Sequence, residues 1–166
     1  MELLIPGLIL VALMVWASTK IKKRAADAFN AESINSDGFS LEKPEGFLHV
    51  AGDERHEFMA YSKEVGEDDN SSTRRATIEL DLLPETDVAS VRTAICDASV
   101  NSSARQEDVI ETEERANETE FRAVYKLAAR GSSVYRLRFA VLAEHFDEFS
   151  RRIDDTIESF VTKPGS

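Results

Sequence analysis

The chain has 166 residues, with 20 Lys and Arg against 31 Asp and Glu and a formal charge of −11. The charge is uneven: four basic residues stand together at 20–24, and from residue 25 onward sixteen basic side chains face thirty acidic ones, a balance of −14. So acidic a domain repels nucleic acid and anionic lipid heads, its single cysteine, Cys96, excludes an intrachain disulfide, and its length suits one ordinary domain that buries a core without staples.

Residues 1–19 read as a transmembrane helix. Leu3 to Thr19 carries no charge and is broken only by Pro6 and Gly7. At about 1.5 Å per residue such a run spans roughly 25 Å, near the lower limit for a hydrocarbon core about 30 Å thick. Pro6 falls in the first turn, where a missing N–H costs little. Trp16 sits at the depth of an interfacial ring. Lys20, Lys22, Lys23 and Arg24 follow at once, and the lysine stems extend the reach by snorkelling. These five residues form the expected membrane interface. Basic flanks stay on the cytoplasmic side, so the expectation is a single pass through an inner membrane, N-terminus out and domain cytoplasmic. A cleaved signal peptide places its charges before the apolar run, the reverse of the order here. A buried core helix is the other reading of the segment.

Residues 20–36 read as a basic juxtamembrane helix, stopping near Asn30, and a polar linker over Ser33 to Gly38. Residues 37–163 read as one α+β domain. Phe39–Lys43 alternates apolar and polar as a strand, Pro44-Glu45-Gly46 turns, and Phe47–Val50 completes an expected hairpin. Gly52–Arg55 is a turn and Glu57–Ser62 a strand. Residues 66–73 are too polar to pack and form an exposed loop. Ala76, Ile78, Leu80 and Leu82 alternate with Thr77, Glu79 and Asp81, the pattern of a half-buried strand that Pro84 ends.

Thr86 is placed to cap a helix carrying Val88, Val91, Ile95 and Ala98 on one face. Polar residues follow to Gln106. Val109 to Glu114, Phe121 to Leu127 and Val134 to Leu142 read as strands. In the last of these, Tyr135, Leu137, Phe139 and Val141 share one side, and Arg136 and Arg138 lie on the other. Ala143 to Val161 reads as an amphipathic helix with Phe146, Phe149, Ile153, Ile157 and Phe160 as its stripe. Hairpin-length connections imply a mostly antiparallel sheet. Two amphipathic helices each need an apolar face to cover, so the expected architecture is a membrane helix followed by a layered α+β sandwich.

Three features resemble the Mog1/PsbP-like superfamily over about residues 37–161: the segment Gly38-Phe39-Ser40-Leu41-Glu42-Lys43-Pro44-Glu45-Gly46-Phe47, the central helix after an acidic loop, and the closing Ile157-Glu158-Ser159-Phe160. The resemblance implies a binding protein rather than an enzyme and leaves the partner open.

The residues themselves point the same way. His49, His56 and His145 match no metal spacing. Cys96 lies beside the stripe of the central helix and reads as a packed thiol. Glu67-Asp68-Asp69-Asn70 lacks the alternating ligands of an EF-hand loop, so whether the loop at 66–73 binds cations stays open. Asn70, Asn101 and Asn117 begin Asn-x-Ser/Thr triplets, which in a cytoplasmic domain are coincidental turn residues. There is no glycine-rich phosphate loop and no Gly-x-Ser-x-Gly.

No catalytic residue, cofactor, metal or small-molecule substrate is expected. The expected function is a single-pass, membrane-anchored, non-catalytic interaction protein, an accessory or assembly subunit whose partners are the bilayer and a membrane protein complex. Gly7, Ala12 and Ala17 are small enough to pack against neighbouring helices. A membrane-tethered chaperone for apolar clients is the alternative, marked by an exposed apolar patch of several hundred Å². A small hydrolase would instead need a deep pocket holding His49 or His56 beside a carboxylate.

Overall fold

The computed structural model describes residues 14–16, 20, 23, 26–65 and 73–164. Most of the apolar run, together with Lys22, Arg24 and nearly all of the acidic loop, lies outside the described residues. Among the described residues no helix is long and apolar enough to cross a membrane. Residues 14–16, 20, 23, 26 and 27 are helical, and the chain turns at 28–29.

Among the described residues ten strands follow: β1 (Glu32–Asn35), β2 (Phe39–Lys43), β3 (Phe47–His49), β4 (Phe58–Ser62), β5 (Ala76–Leu83), β6 (Asn101–Ala104), β7 (Val109–Ala116), β8 (Thr119–Arg130), β9 (Ser133–Leu142) and β10 (Val161–Thr162). Helix α1 (Val88–Ala98) separates β5 from β6, and α2 (Phe146–Ser159) follows β9 through one 3₁₀ turn. The strands form two antiparallel sheets, one ordered β1-β2-β10 and the other β3-β4-β5-β9-β8-β7-β6.

The α+β class and the antiparallel pairing agree with the sequence; the single sheet does not. The expected hairpin of Phe39–Lys43 with Phe47–Val50 is absent. β2 pairs with β1 and β10, and β3 pairs with β4. Alternation identifies a strand but not its partner. Gly46, at φ +88°, carries the chain from one sheet to the other, a conformation glycine adopts without steric penalty. Gly38 is restricted differently, because a side chain there would collide with the Tyr135 hydroxyl and the Arg130 guanidinium.

Part of the expected linker is β1, its register placing Ile34 opposite Leu41. The polar stretch before Gln106 contains β6, whose residues are all exposed. Both are polar strands at sheet edges, and they form because neighbours offer backbone partners; no apolar alternation marks them. Helix α1 is capped by Asp87, whose side chain accepts from the Ser90 amide at 2.8 Å, one residue later than Thr86. The expected last helix is shorter: residues 143–145 are 3₁₀, Phe160 stands past its end, and β10 returns to β2.

The seven-stranded sheet has two unlike faces. One carries Phe47, Phe58, Ala60, Ile78, Leu80, Tyr135, Leu137, Phe139 and Val141. Over it lie the α2 stripe Phe146, Phe149, Ile153 and Ile157, followed by Phe160, and Phe39 and Leu41 of β2. Rings interlock edge to face, Phe47 meeting Phe139 at 5.4 Å and Phe149 at 6.0 Å between centroids, a geometry aromatic quadrupoles favour. The C-terminal carbonyls of α2 would otherwise lack partners. Lys126 of β8 donates to the carbonyls of Ile157 and Phe160. On the opposite face α1 covers a smaller apolar patch, Val91 and Ile95 meeting Ile110, Ala123, Tyr125 and Leu127.

Candidate functional site

The face beneath α1 is where the sheet stops being apolar. Glu79 and Asp81 lie on the polar side of β5 and are register partners of Arg138 and Arg136 on β9. Opposite charges directly across an antiparallel pair attract. Arg136 donates to the Asp81 carboxylate at 2.7 Å, and His56 Nδ1 lies 2.6 Å from its other oxygen. Arg138 is the hub. It donates to Glu79 at 3.0 Å, to Glu114 at 2.6 Å and to the Tyr125 hydroxyl at 3.0 Å. Glu114 also accepts from Tyr125 at 2.6 Å and from Thr112 at 3.0 Å.

This network holds its charges. Burial pushes the Glu114 carboxyl up, but the hydrogen bond and charge of Arg138, helped by Tyr125 and Thr112, outweigh it and hold Glu114 below the usual carboxylate range. Burial, and then the neighbouring Glu114, push the Tyr125 phenol well up against the pull of Arg138. Burial opposes the charge on Arg138, yet its hydrogen bond to Glu114 and the charges of Tyr125, Glu114 and Glu79 outweigh it and push the guanidinium further up. A general acid or base works best with a pKa near the working pH. Here the directions are opposite: the carboxylate stays ionised, the phenol stays neutral and the guanidinium stays charged.

Between α1 and the sheet runs a cleft of about 520 Å³. Its walls include Leu83, Val91 and Ile95, and Tyr125, Glu114 and Arg136 bring the network into it. Ala94 and Ser90 of α1 line the cleft and are exposed. An apolar wall with a few convergent polar groups is the usual make-up of a binding cleft.

The expected membrane-interface residues are partly visible. Trp16, Lys20 and Lys23 are exposed, and the Lys20 ammonium lies 4.7 Å from the Trp16 ring centroid. Lys22 and Arg24 lie outside the described residues, as does most of the loop at 66–73. Among the described residues no group of three metal-ligating side chains gathers. His49 stacks near Phe58 at 4.9 Å. His145 is buried at the entry to α2, with Nδ1 3.0 Å from Glu148. His56 does meet a carboxylate, but neither it nor Asp81 lines the cleft under α1. Cys96 packs against the apolar patch beneath α1. The large apolar side chains exposed in the folded part, Val65, Val100 and Val161, lie in three separate segments: after β4, between α1 and β6, and in β10.

The sequence showed Arg136 and Arg138 on the polar side of their strand but not their partners. The available signal was two acids at i, i+2 on one strand and two arginines at i, i+2 on another, a match that antiparallel neighbours create. Glu114 carries no comparable pattern, because it reaches Arg138 from a strand that is not adjacent to β9.

No family model matches the chain, and no curated protein does. Solved structures do. LpqN, involved in cell envelope biogenesis of Mycobacterium tuberculosis, matches with a TM-score of 0.54 at 12% identity, over 81% of this chain and 91% of that one. The Saccharomyces cerevisiae Ran-binding protein Mog1p matches at 0.49 and 11% identity, over 82% and 97%. CyanoP, the cyanobacterial PsbP of Synechocystis, matches at 0.47 and 15%, over 81% and 92%. The fold is thus shared with LpqN. At these identities the likeness is one of fold alone.

Proposed function

We propose that this chain is a single-pass, membrane-anchored interaction protein that presents its α+β domain on the cytoplasmic side as an accessory or assembly subunit of a membrane protein complex, and that the cleft under α1 receives the partner. One observation carries the binding part: the cleft sets the apolar side chains Leu83, Val91 and Ile95 beside the polar Tyr125, Glu114 and Arg136, and Tyr125 and Glu114 are held in place by hydrogen bonds to each other and to Arg138. Fixed charges orient a partner and select against wrong ones; they do not shuttle protons. The membrane part rests on the uncharged run from Leu3 to Thr19 and the basic residues behind it.

Ala94→Arg tests the cleft. The residue is exposed, so the domain should fold, but the long charged side chain fills the opening. We expect the full chain, extracted in mild detergent, to co-purify with a stoichiometric membrane partner, and the Ala94→Arg variant to lose it. A monomeric, partnerless wild-type particle would count against the accessory role. Protease protection on inverted and right-side-out vesicles tests the orientation. Digestion of the domain from outside intact cells would reverse it.

A further inference from the structure

We infer that the chain holds a phosphate ester bearing a primary ammonium, the chemistry of an ethanolamine-type lipid headgroup, in a second cleft between the β2–β3 turn and α2. This cleft measures about 720 Å³ and brings together Lys43, Glu64, Arg152 and Thr156. Three of these carry unmet polar capacity. Lys43 is 1% exposed. Its Nζ donates to the carbonyls of Asn30 and Phe47, the latter at 2.7 Å. An ammonium has three N–H donors, so one remains. Among the described residues no carboxylate is within ion-pair distance of it, although buried charges are normally paired. Thr156 is also 1% exposed, and its Oγ1 has no hydrogen-bond partner. Glu64 Oε2 is buried and unpartnered in the same way. Buried polar atoms seldom lack a partner.

The fourth group is a second cation. Arg152 is half-buried, stacked 5.1 Å from the Phe149 ring, with no ion pair among the described residues. Lys43, Arg152 and the Thr156 hydroxyl suit a phosphate. The Glu64 carboxylate suits an ammonium. The remaining acids of the cleft argue for a zwitterion over a plain anion: Glu42 accepts from Ser33, Asp155 pairs with Arg151 at 3.8 Å, and Glu45 adds a further negative charge. Burial depresses the Lys43 ammonium, with Glu32 opposing, and a bound phosphate would reverse that balance.

Position points to the source. Ala31 lines the cleft, and the Gly46 amide donates to the Phe29 carbonyl at 2.7 Å. The cleft therefore opens a few residues beyond the basic segment at 20–24, at headgroup level if residues 1–19 cross the bilayer. The lipid source rests on the proposed anchor; the binding chemistry does not.

Full chain released from nanodiscs holding equal phosphatidylethanolamine and phosphatidylcholine tests both. Choline has no N–H to offer Glu64. Native mass spectrometry should find one retained ethanolamine lipid, preferred by roughly tenfold, the factor that one hydrogen bond to a charged group contributes. Thr156→Val and Arg152→Gln should each lower retention by a similar factor, and Glu64→Gln should erase the preference. Equal retention of the two lipids, or unchanged retention in all three variants, overturns the lipid site. A parallel NMR titration of the full chain in detergent uses free phosphoethanolamine, with inorganic phosphate as control. Binding of the soluble compound without lipid preference overturns the bilayer as source, and binding in neither arm overturns the cleft. If an alkaline wash frees the chain from vesicles, the anchor fails, and the titration alone decides the cleft.

Discussion

The two faces of the seven-stranded sheet are built on opposite principles. The face under α2 is closed: Phe47, Ile78, Leu80, Leu137 and Phe139 are all fully buried, and side chains of α2 and β2 cover them. The face under α1 is half apolar patch and half ion network, with a cleft between. Apolar burial is non-directional and stabilises any arrangement that excludes water. A hydrogen-bonded charge network demands one geometry and gives less net stability. The closed face therefore holds the fold together, while the open one is where, in the function proposed above, a partner would dock.

That division can be broken from either side. The largest expected effect is on the closed face. Phe139→Ala removes a ring packed against Phe47 and should cost about 3–5 kcal/mol in urea unfolding, the usual range for emptying a core aromatic site. A cost below about 1 kcal/mol would mean that this face is not the main core. Next comes Arg138→Met, which strands Glu114 and Glu79. Breaking a fully buried pair costs about 3–5 kcal/mol, and partial exposure here should reduce that to about 2–3. The double variant Arg138→Met/Glu114→Gln should recover part of the loss, because the stranded charge goes with it; no recovery would deny the coupling.

Smaller still, Asp87→Ala removes the cap of α1, which should be read as faster amide exchange in α1 with the α2 face unchanged. The smallest effect is one of slope. The Glu114 carboxyl sits lower in the folded chain than in the unfolded one. Its contribution is therefore complete above the ordinary carboxylate range and disappears as pH falls through the folded value. Glu114→Gln should be less stable at neutral pH and should lose a correspondingly smaller amount on acidification. A parallel pair of stability–pH curves would show that Glu114 is not held by Arg138.

Most strands and both helices were legible because each buries one face and so writes its period into the chain. β5 shows Ala76, Ile78 and Leu80 inward, and α2 shows Phe146, Phe149, Ile153 and Ile157 at helical spacing. β1 and β6 were missed for the converse reason: they are short edge strands, β6 wholly exposed and β1 with Ile34 as its single apolar side chain, held by backbone hydrogen bonds that leave no mark on composition. The same limit hid the partners of Arg138, since Glu79 and Glu114 come from strands 59 and 24 residues away.

By itself, then, the sequence determined the acidic α+β domain, its two amphipathic helices and the uncharged run with its basic flank. Hydrophobic period and charge are local properties, readable residue by residue. Only the tertiary structure decided that β2 leaves β3 for β1 and β10, that the helices cover opposite faces, and that buried Lys43 and Thr156 share one cleft with half-buried Glu64. Strand partnership and the convergence of distant side chains depend on how the backbone pairs and turns, and that is settled by the whole chain at once.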